Sequence, residues 1–157
     1  MITKDINEIK KIAGKAEKEG KTVMVSNGCF DLVHAGHAIF IENAKKHCDV
    51  LIVAINSDKS VREYKGPNRP INNEDDRAYM MSRIKGVDHV YIFDEKTFER
   101  TLSELKPRKY AKGQDYSLEK MDQNEKKIIE SYGGEILIIK HPIKTSTTYI
   151  IEKILEK

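Results

Sequence analysis

Short apolar runs separated by segments of helical period constrain this chain more than any other feature. Asp49-Val50-Leu51-Ile52-Val53-Ala54-Ile55 is almost wholly apolar and is bounded by polar residues. A run of that length and character is a strand covered on both faces. Val23-Met24-Val25 marks an earlier strand over residues 22–26, and further strands are expected over 87–93, 109–112 and 135–140. The segments between them have helical spacing. Asp5-Ile6-Asn7-Glu8 has the form of a capping box, Ile6, Ile9, Ala13 and Ala16 then recur on one face, and Gly20 closes the helix. Helices are expected over 36–47 with Ile41 and Ala44 inside, and over 74–85 with Ala78, Met81 and Ile84 inside. Another opens at Thr97, buries Phe98, Leu102 and Leu105, and stops at Pro107; one more covers 121–132 and ends at Gly133-Gly134. Ser146 caps the last, whose apolar stripe is Ile150, Ile151, Ile154 and Leu155. Residues 56–73, with Gly66, Pro67 and Pro70, read as a polar connector.

Alternation of strand and helix predicts an α/β fold: a Rossmann-like, doubly wound, five-stranded parallel sheet with helices on both faces, plus an N-terminal helix. A length of 157 residues suits one domain, residues 1–157, with 1–20 as a helical extension. Ligands in such folds bind beyond the carboxyl ends of the strands, where the strand order reverses. The net charge of +3 is too small to point to nucleic acid without a dense basic patch. Cys29 and Cys48 form no Cys-x-x-Cys motif and no disulfide framework. Lys4, Asp5, Glu8, Lys10 and Lys11 break any apolar leader, and no apolar run approaches the ~20 residues of a membrane span. A soluble cytoplasmic protein is expected, with no membrane and no nucleic-acid partner.

His34-Ala35-Gly36-His37 follows the first strand and its glycine turn, Ser26-Asn27-Gly28-Cys29-Phe30-Asp31, and enters a helix. Two imidazoles at a helix N-terminus join the free backbone N–H groups and the positive dipole end there. Together they make a pocket for a phosphate chain, placed where charge builds up during transfer at phosphorus. The competing reading is two surface histidines at a turn. His47, His89 and His141 have no partner pattern and read as helix-end, surface or core-edge residues.

Three more segments end at the same sheet edge. Lys65, beside Gly66, reads as a cation closing over a phosphate, or else as a solvated loop lysine. Arg69 and Arg77 flank the same loop as candidate anion partners, though Arg77 also suits an exposed helix face. Lys112-Gly113-Gln114-Asp115-Tyr116 follows the fourth strand, and Thr145-Ser146-Thr147-Thr148 opens the last helix, where hydroxyls and backbone N–H groups converge on an anion or simply cap the helix. No nucleophile elbow and no P-loop motif is present. The chemistry that remains is positioning and charge stabilisation, which suits in-line attack of a substrate phosphate on the α-phosphorus of a nucleoside triphosphate.

These segments resemble the cytidylyltransferase-like nucleotidyltransferases, whose signature is His-x-Gly-His. The similarity extends over SNGCFDLVHAGH, DVLIVAINSDKSV, KGPNRPINNEDDRAYMMSRIKGVDHVYIFDE, LKPRKYAKGQDYSLE, GGEIL and STTYIIEKI. It is closest to the heptose-1-phosphate adenylyltransferase branch, the C-terminal domain of RfaE-type proteins. The resemblance implies transfer of AMP from ATP to D-glycero-D-manno-heptose 1-phosphate, giving ADP-heptose and pyrophosphate. His34, His37 and Lys65 would be catalytic. Asn27, Gly28, Cys29, Phe30, Asp31, Gly36, Gly113, Asp115, Ser146, Thr147 and Thr148 would hold the nucleotide. Lys65, Arg69 and Arg77 would bind the acceptor phosphate. Mg²⁺ would arrive with ATP, with no protein metal ligand assigned, and the family implies a homodimer.

Gln114 stands where the heptose branch usually carries a second glycine, and His141-Pro142-Ile143-Lys144 matches no pattern. Glycerol-3-phosphate cytidylyltransferases usually carry Gly-Thr-Phe-Asp and Arg-Tyr-Val-Asp; this chain has Gly28-Cys29-Phe30-Asp31 and Lys85-Gly86-Val87-Asp88. A sugar-kinase half is not part of the pattern, so a separate protein is expected to supply any kinase step. The alternatives are a cytidylyltransferase or flavin-nucleotide synthetase of the same fold, an inactive nucleotide-binding regulator, and a nucleic-acid binder of the synthetase type.

Overall fold

Strand order, more than any single contact, decides where this molecule can hold a ligand. The computed structural model describes residues 1–140, 142 and 145–156. Its elements are β1 (Ile2–Thr3), α1 (Ile6–Lys18), β2 (Val23–Gly28), α2 (Ala35–Lys45), β3 (Val50–Asn56), α3 (Asp58–Lys65), α4 (Glu74–Ser82), β4 (His89–Phe93), α5 (Glu99–Leu105), β5 (Lys109–Gly113), α6 (Gln123–Ser131), β6 (Glu135–Ile139) and α7 (Thr147–Leu155). The six strands pair in the order β1-β4-β3-β2-β5-β6, every pairing parallel. The chain runs outward from β2 through β3 to β4, then returns to lay β5 on the other side of β2. The order therefore reverses between β2 and β5.

Period-two alternation sorts the strand residues to two cores. Val23, Val25, Ile52, Ala54, Tyr91, Phe93 and Tyr110 face α1, α5 and α6. Met24, Leu51, Val53, Ile55, Val90, Ile92 and Ala111 face α2 and α4. Full burial of each large aliphatic side chain contributes about 1.5–3 kcal/mol, so these two layers hold the sheet. The expected inner faces are buried: Ile6, Ile9, Ala13 and Ala16 on α1, Ile41 and Ala44 on α2, and Phe98, Leu102 and Leu105 around α5.

The structure departs from the sequence expectations in several places. A sixth strand, β1, pairs Ile2 with Val90 and Thr3 with Tyr91; two residues carry too little alternation to announce themselves. The connector 56–73 is not wholly irregular, because α3 occupies Asp58–Lys65 with Ser57 as its cap. Its buried residues are Ser60 and Val61, so apolar periodicity is nearly absent. Asp5 caps α1 by accepting from the Asn7 N–H, but Glu8 turns to the Thr3 hydroxyl, so the reciprocal half of the capping box is missing. No residue of α7 is buried, and Ile154 and Leu155 of its apolar stripe lie at the surface. His141, Ile143 and Lys144 of the unassigned loop lie outside the described residues. Among the described residues no helix is long and apolar enough to cross a membrane.

Two buried ionic groups fasten the turn after β2 to the segment before α4. The Asp31 carboxylate accepts from the Ile71 N–H, the Asn72 N–H and Arg69 Nε, at 2.9, 2.9 and 2.7 Å. The Asn72 amide donates back to the Asp31 carbonyl. Burial alone would raise the Asp31 pKa, but the N–H groups of Asn72 and Ile71 and the Arg69 guanidinium outweigh it and hold the carboxyl below its usual range. Arg77, 1% exposed, donates to the Cys29 carbonyl, the Asn72 carbonyl and the Asp58 carboxylate at 2.7, 3.0 and 2.7 Å.

Asp31→Asn is expected to cost about 2–4 kcal/mol in urea unfolding near pH 7, since it removes a charged acceptor from three donors. Because the folded pKa lies below the unfolded value of about 3.9, the contribution is complete above that value and is lost as pH falls through the folded one. The wild type should therefore lose stability more steeply than the variant below about pH 4. Arg77→Lys should lower the unfolding free energy by about 2 kcal/mol or more, read as a lower melting temperature, because an ammonium cannot meet three acceptors set around a planar fork.

Candidate active site

The carboxyl ends of β2 and β5 open onto a cleft of about 560 Å³. Its walls come from the end of β2 and the following turn, the first turn of α2, Lys65 of α3, the segment after β5, and the start of α7. The strand reversal produces this opening, because helices that cover one side of the switch point diverge from those on the other.

The β2–α2 turn is tight. Phe30 adopts φ +48, and its ring folds back over Gly28. A Cβ on Gly28 would stand 3.0 Å from that ring, so any side chain there requires the Phe30 ring to give way. Asp31 and Arg77 hold the turn from behind. His34 is the N-cap residue of α2, with extended backbone. Its N–H donates to Nδ1 of His37 at 3.3 Å, and the two rings stack at 3.8 Å between centroids. As an acceptor, Nδ1 carries no hydrogen, so neutral His37 is the Nε2–H tautomer, a donor. Phe30 meets His37 edge-on at 5.2 Å.

The start of α7 forms the opposite wall. The Ser146 hydroxyl accepts from the Tyr149 N–H at 3.1 Å, so the capping role is real, and Ser146 also lines the cleft. Thr147 donates to the Leu32 carbonyl, tying α7 to the β2–α2 turn. Two helix N-termini thus face one space, each with first-turn N–H groups that no carbonyl of its own helix can satisfy. Lys65, the last residue of α3, completes the cationic side; among the described residues it has no carboxylate partner.

Every residue assigned to catalysis or nucleotide binding in the sequence lines this cleft: Asn27, Gly28, Cys29, Phe30, Asp31, His34, Gly36, His37, Lys65, Gly113, Asp115, Ser146, Thr147 and Thr148. Arg69 and Arg77 do not. Arg69 binds Asp31 and Arg77 is enclosed behind the turn, so both brace the site from outside the cleft. Burial pushes the Cys29 thiol up, against the opposing charges of Lys65 and Arg77, which keeps it a neutral wall residue and a poor nucleophile. Both cysteines are free thiols.

The sequence points to Asn27 and the segment from Lys112 to Tyr116 at this edge, but not to the buried polar cluster that forms the cleft floor. Lys112, 8% exposed, reaches Asn27 Oδ1 at 2.9 Å and Glu125 Oε2 at 3.3 Å, with its ammonium between the rings of Tyr110 and Tyr116. The Tyr110 hydroxyl lies 2.7 Å from Asn27 Oδ1 and 2.9 Å from Glu125 Oε2. Glu125 Oε1 accepts from the Phe98 N–H. Burial lowers the Lys112 pKa, with Glu125 opposing, and raises that of Tyr110 well above its usual value. The available signal was alternation: Lys112 shares a strand face with Tyr110, and that face is covered by α6.

Residues 25–153 match the cytidylyltransferase-like family. The bifunctional HldE proteins of Aliarcobacter butzleri and Geobacter metallireducens are 39% and 42% identical to the chain over 153 residues, covering 98% and 96% of it and 31% of each relative. The chain spans about three tenths of the length of these curated relatives. A lipopolysaccharide core biosynthesis protein from Thermoplasma volcanium, 28% identical, superposes with a TM-score of 0.65 over 80% of this chain and 100% of that one. A pantoate-β-alanine ligase from Francisella tularensis, 16% identical, shares the fold with a TM-score of 0.60 over 100% of this chain and 78% of that one. The chain belongs to the cytidylyltransferase-like family of nucleotidyltransferases.

Proposed function

We propose that this protein transfers AMP from ATP to D-glycero-D-manno-heptose 1-phosphate, releasing pyrophosphate and forming ADP-heptose. The observation that carries the reading is the convergence of the His34–His37 stack, Lys65 and the Ser146–Thr148 turn on one cleft at the strand reversal. The likeness to bifunctional HldE proteins and to a lipopolysaccharide core biosynthesis protein supports the choice of a sugar phosphate as acceptor.

The triphosphate lies between the N-termini of α2 and α7, where backbone N–H groups and hydroxyls replace its water. The sugar phosphate is already an anion and needs no general base. Its oxygen attacks the α-phosphorus in line, a P–O bond forms, and the bond to the β-phosphate oxygen breaks as pyrophosphate leaves. His34 and His37 donate to the phosphate oxygens as charge shifts onto the leaving group, and Lys65 neutralises the incoming phosphate. Magnesium would arrive with ATP, held mainly by its phosphate oxygens, and would screen their charge as the acceptor phosphate approaches.

Pyrophosphate release is measured with ATP, CTP, GTP and UTP in magnesium, against heptose 1-phosphate and glycerol 3-phosphate. Turnover is expected with ATP and heptose 1-phosphate; turnover with CTP and glycerol 3-phosphate instead would reassign the substrates. His37→Ala should lower kcat by about 100-fold or more while the fold, followed by circular dichroism, is retained.

A further inference from the structure

The polar cluster beneath the cleft is more elaborate than packing requires. Lys112, Tyr110 and Glu125 are all buried, at 8%, 0% and 5% exposure, and they bond to one another, to Asn27 and to the Phe98 N–H. An ammonium has three donors and no acceptor, so the Asn27 amide atom 2.9 Å from Lys112 Nζ is the oxygen. The Tyr110 hydroxyl approaches the same oxygen at 2.7 Å. The amide is thereby held in one of its two orientations. Its Nδ2 is the polar atom left over, on a residue that lines the cleft at the end of β2. The Lys112 charge is matched by Glu125, so the cluster brings no net charge to the floor.

We propose that Lys112, Tyr110 and Glu125 are positioning residues that lock Asn27 with its Nδ2–H₂ toward the cleft, where it donates to an acceptor atom of the bound nucleotide. The inference rests on the nucleotidyltransferase reading and deepens it, since it assigns Asn27 a side-chain contact and gives that contact its orientation. A neutral donor set in a rigid frame favours an acceptor atom and rejects a donor at the same point, because either buried partner left unpaired is costly. Flipping the amide would set its NH₂ against the Lys112 ammonium, donor against donor, so the frame admits one state.

ATP affinity is measured by titration calorimetry on the wild type and on Asn27→Asp, Lys112→Met, Asn27→Ala and the double variant Asn27→Ala/Lys112→Met, with thermal unfolding followed for each. Asn27→Asp keeps an oxygen for Lys112 and Tyr110 but replaces the donor facing the nucleotide with an acceptor. It should bind ATP at least about 30-fold more weakly, and Asn27→Ala about 10-fold more weakly, should the charged variant fail to fold. Lys112→Met should weaken binding about 5-fold, through KM for ATP rather than kcat, and should add nothing in the Asn27→Ala background, because it acts through Asn27. Asn27→Asp and Asn27→Ala binding within twofold of wild type, or additive losses in the double variant, would overturn the inference while leaving the functional reading intact. A wild type that binds no nucleoside triphosphate would overturn both.

Discussion

The ladder between β2 and β5 is the interaction on which the rest of the site depends. It pairs Met24 with Lys109, Val25 with Tyr110 and Ser26 with Ala111, and so joins strands that are far apart in sequence. By placing β5 beside β2, it reverses the strand order there and leaves a cleft uncovered at the carboxyl ends. The same ladder brings Asn27, one residue beyond the last pair, to the hydroxyl of Tyr110 and the ammonium of Lys112. Topology and the buried polar floor are therefore one consequence of a single pairing.

Charge is distributed in layers around that cleft. Two helix N-termini, the histidine pair and Lys65 make the open side receptive to an anion. The floor is neutral, because Lys112 is paired with Glu125. Asp31 at the cleft wall and Arg77 behind the β2–α2 turn bring no free charge to the cleft, since Asp31 is paired with Arg69, Arg77 with Asp58, and both bond to loop backbone. A rigid turn matters for this chemistry because donors placed in advance cost no reorganisation when charge moves in the transition state. Phe30, strained at positive φ and closed over Gly28, shows the same priority of geometry over local comfort.

Much of the fold was legible because β3 and β2 are apolar runs whose length and composition admit few alternatives, and because α1, α2 and α5 keep clean inner faces. The cleft residues were legible as motifs lying after strands, where this fold class places its ligands. Other features turn on long-range arrangements that periodicity does not encode. Arg77 looked like an anion binder by residue type, yet three carbonyl or carboxylate oxygens from separate segments enclose it. The helix α3 escaped notice because only Val61 gives it an apolar anchor. The stripe on α7 looked like a core face, but the helix lies at the periphery with its first turn given to the cleft. Lys112 was noted only as the start of a segment at the sheet edge, although its alternation with Tyr110 set it on a covered face.

The central claim is that a nucleotide occupies the β2–β5 cleft with its phosphates between the two helix N-termini. The most direct test is a crystal structure with a non-hydrolysable ATP analogue and magnesium. The account predicts the triphosphate between the first turns of α2 and α7, within hydrogen-bond distance of His34 or His37 and of the Ser146–Thr148 turn. An analogue seated elsewhere on the molecule, or one whose phosphates point away from the histidine pair into solvent, would contradict it.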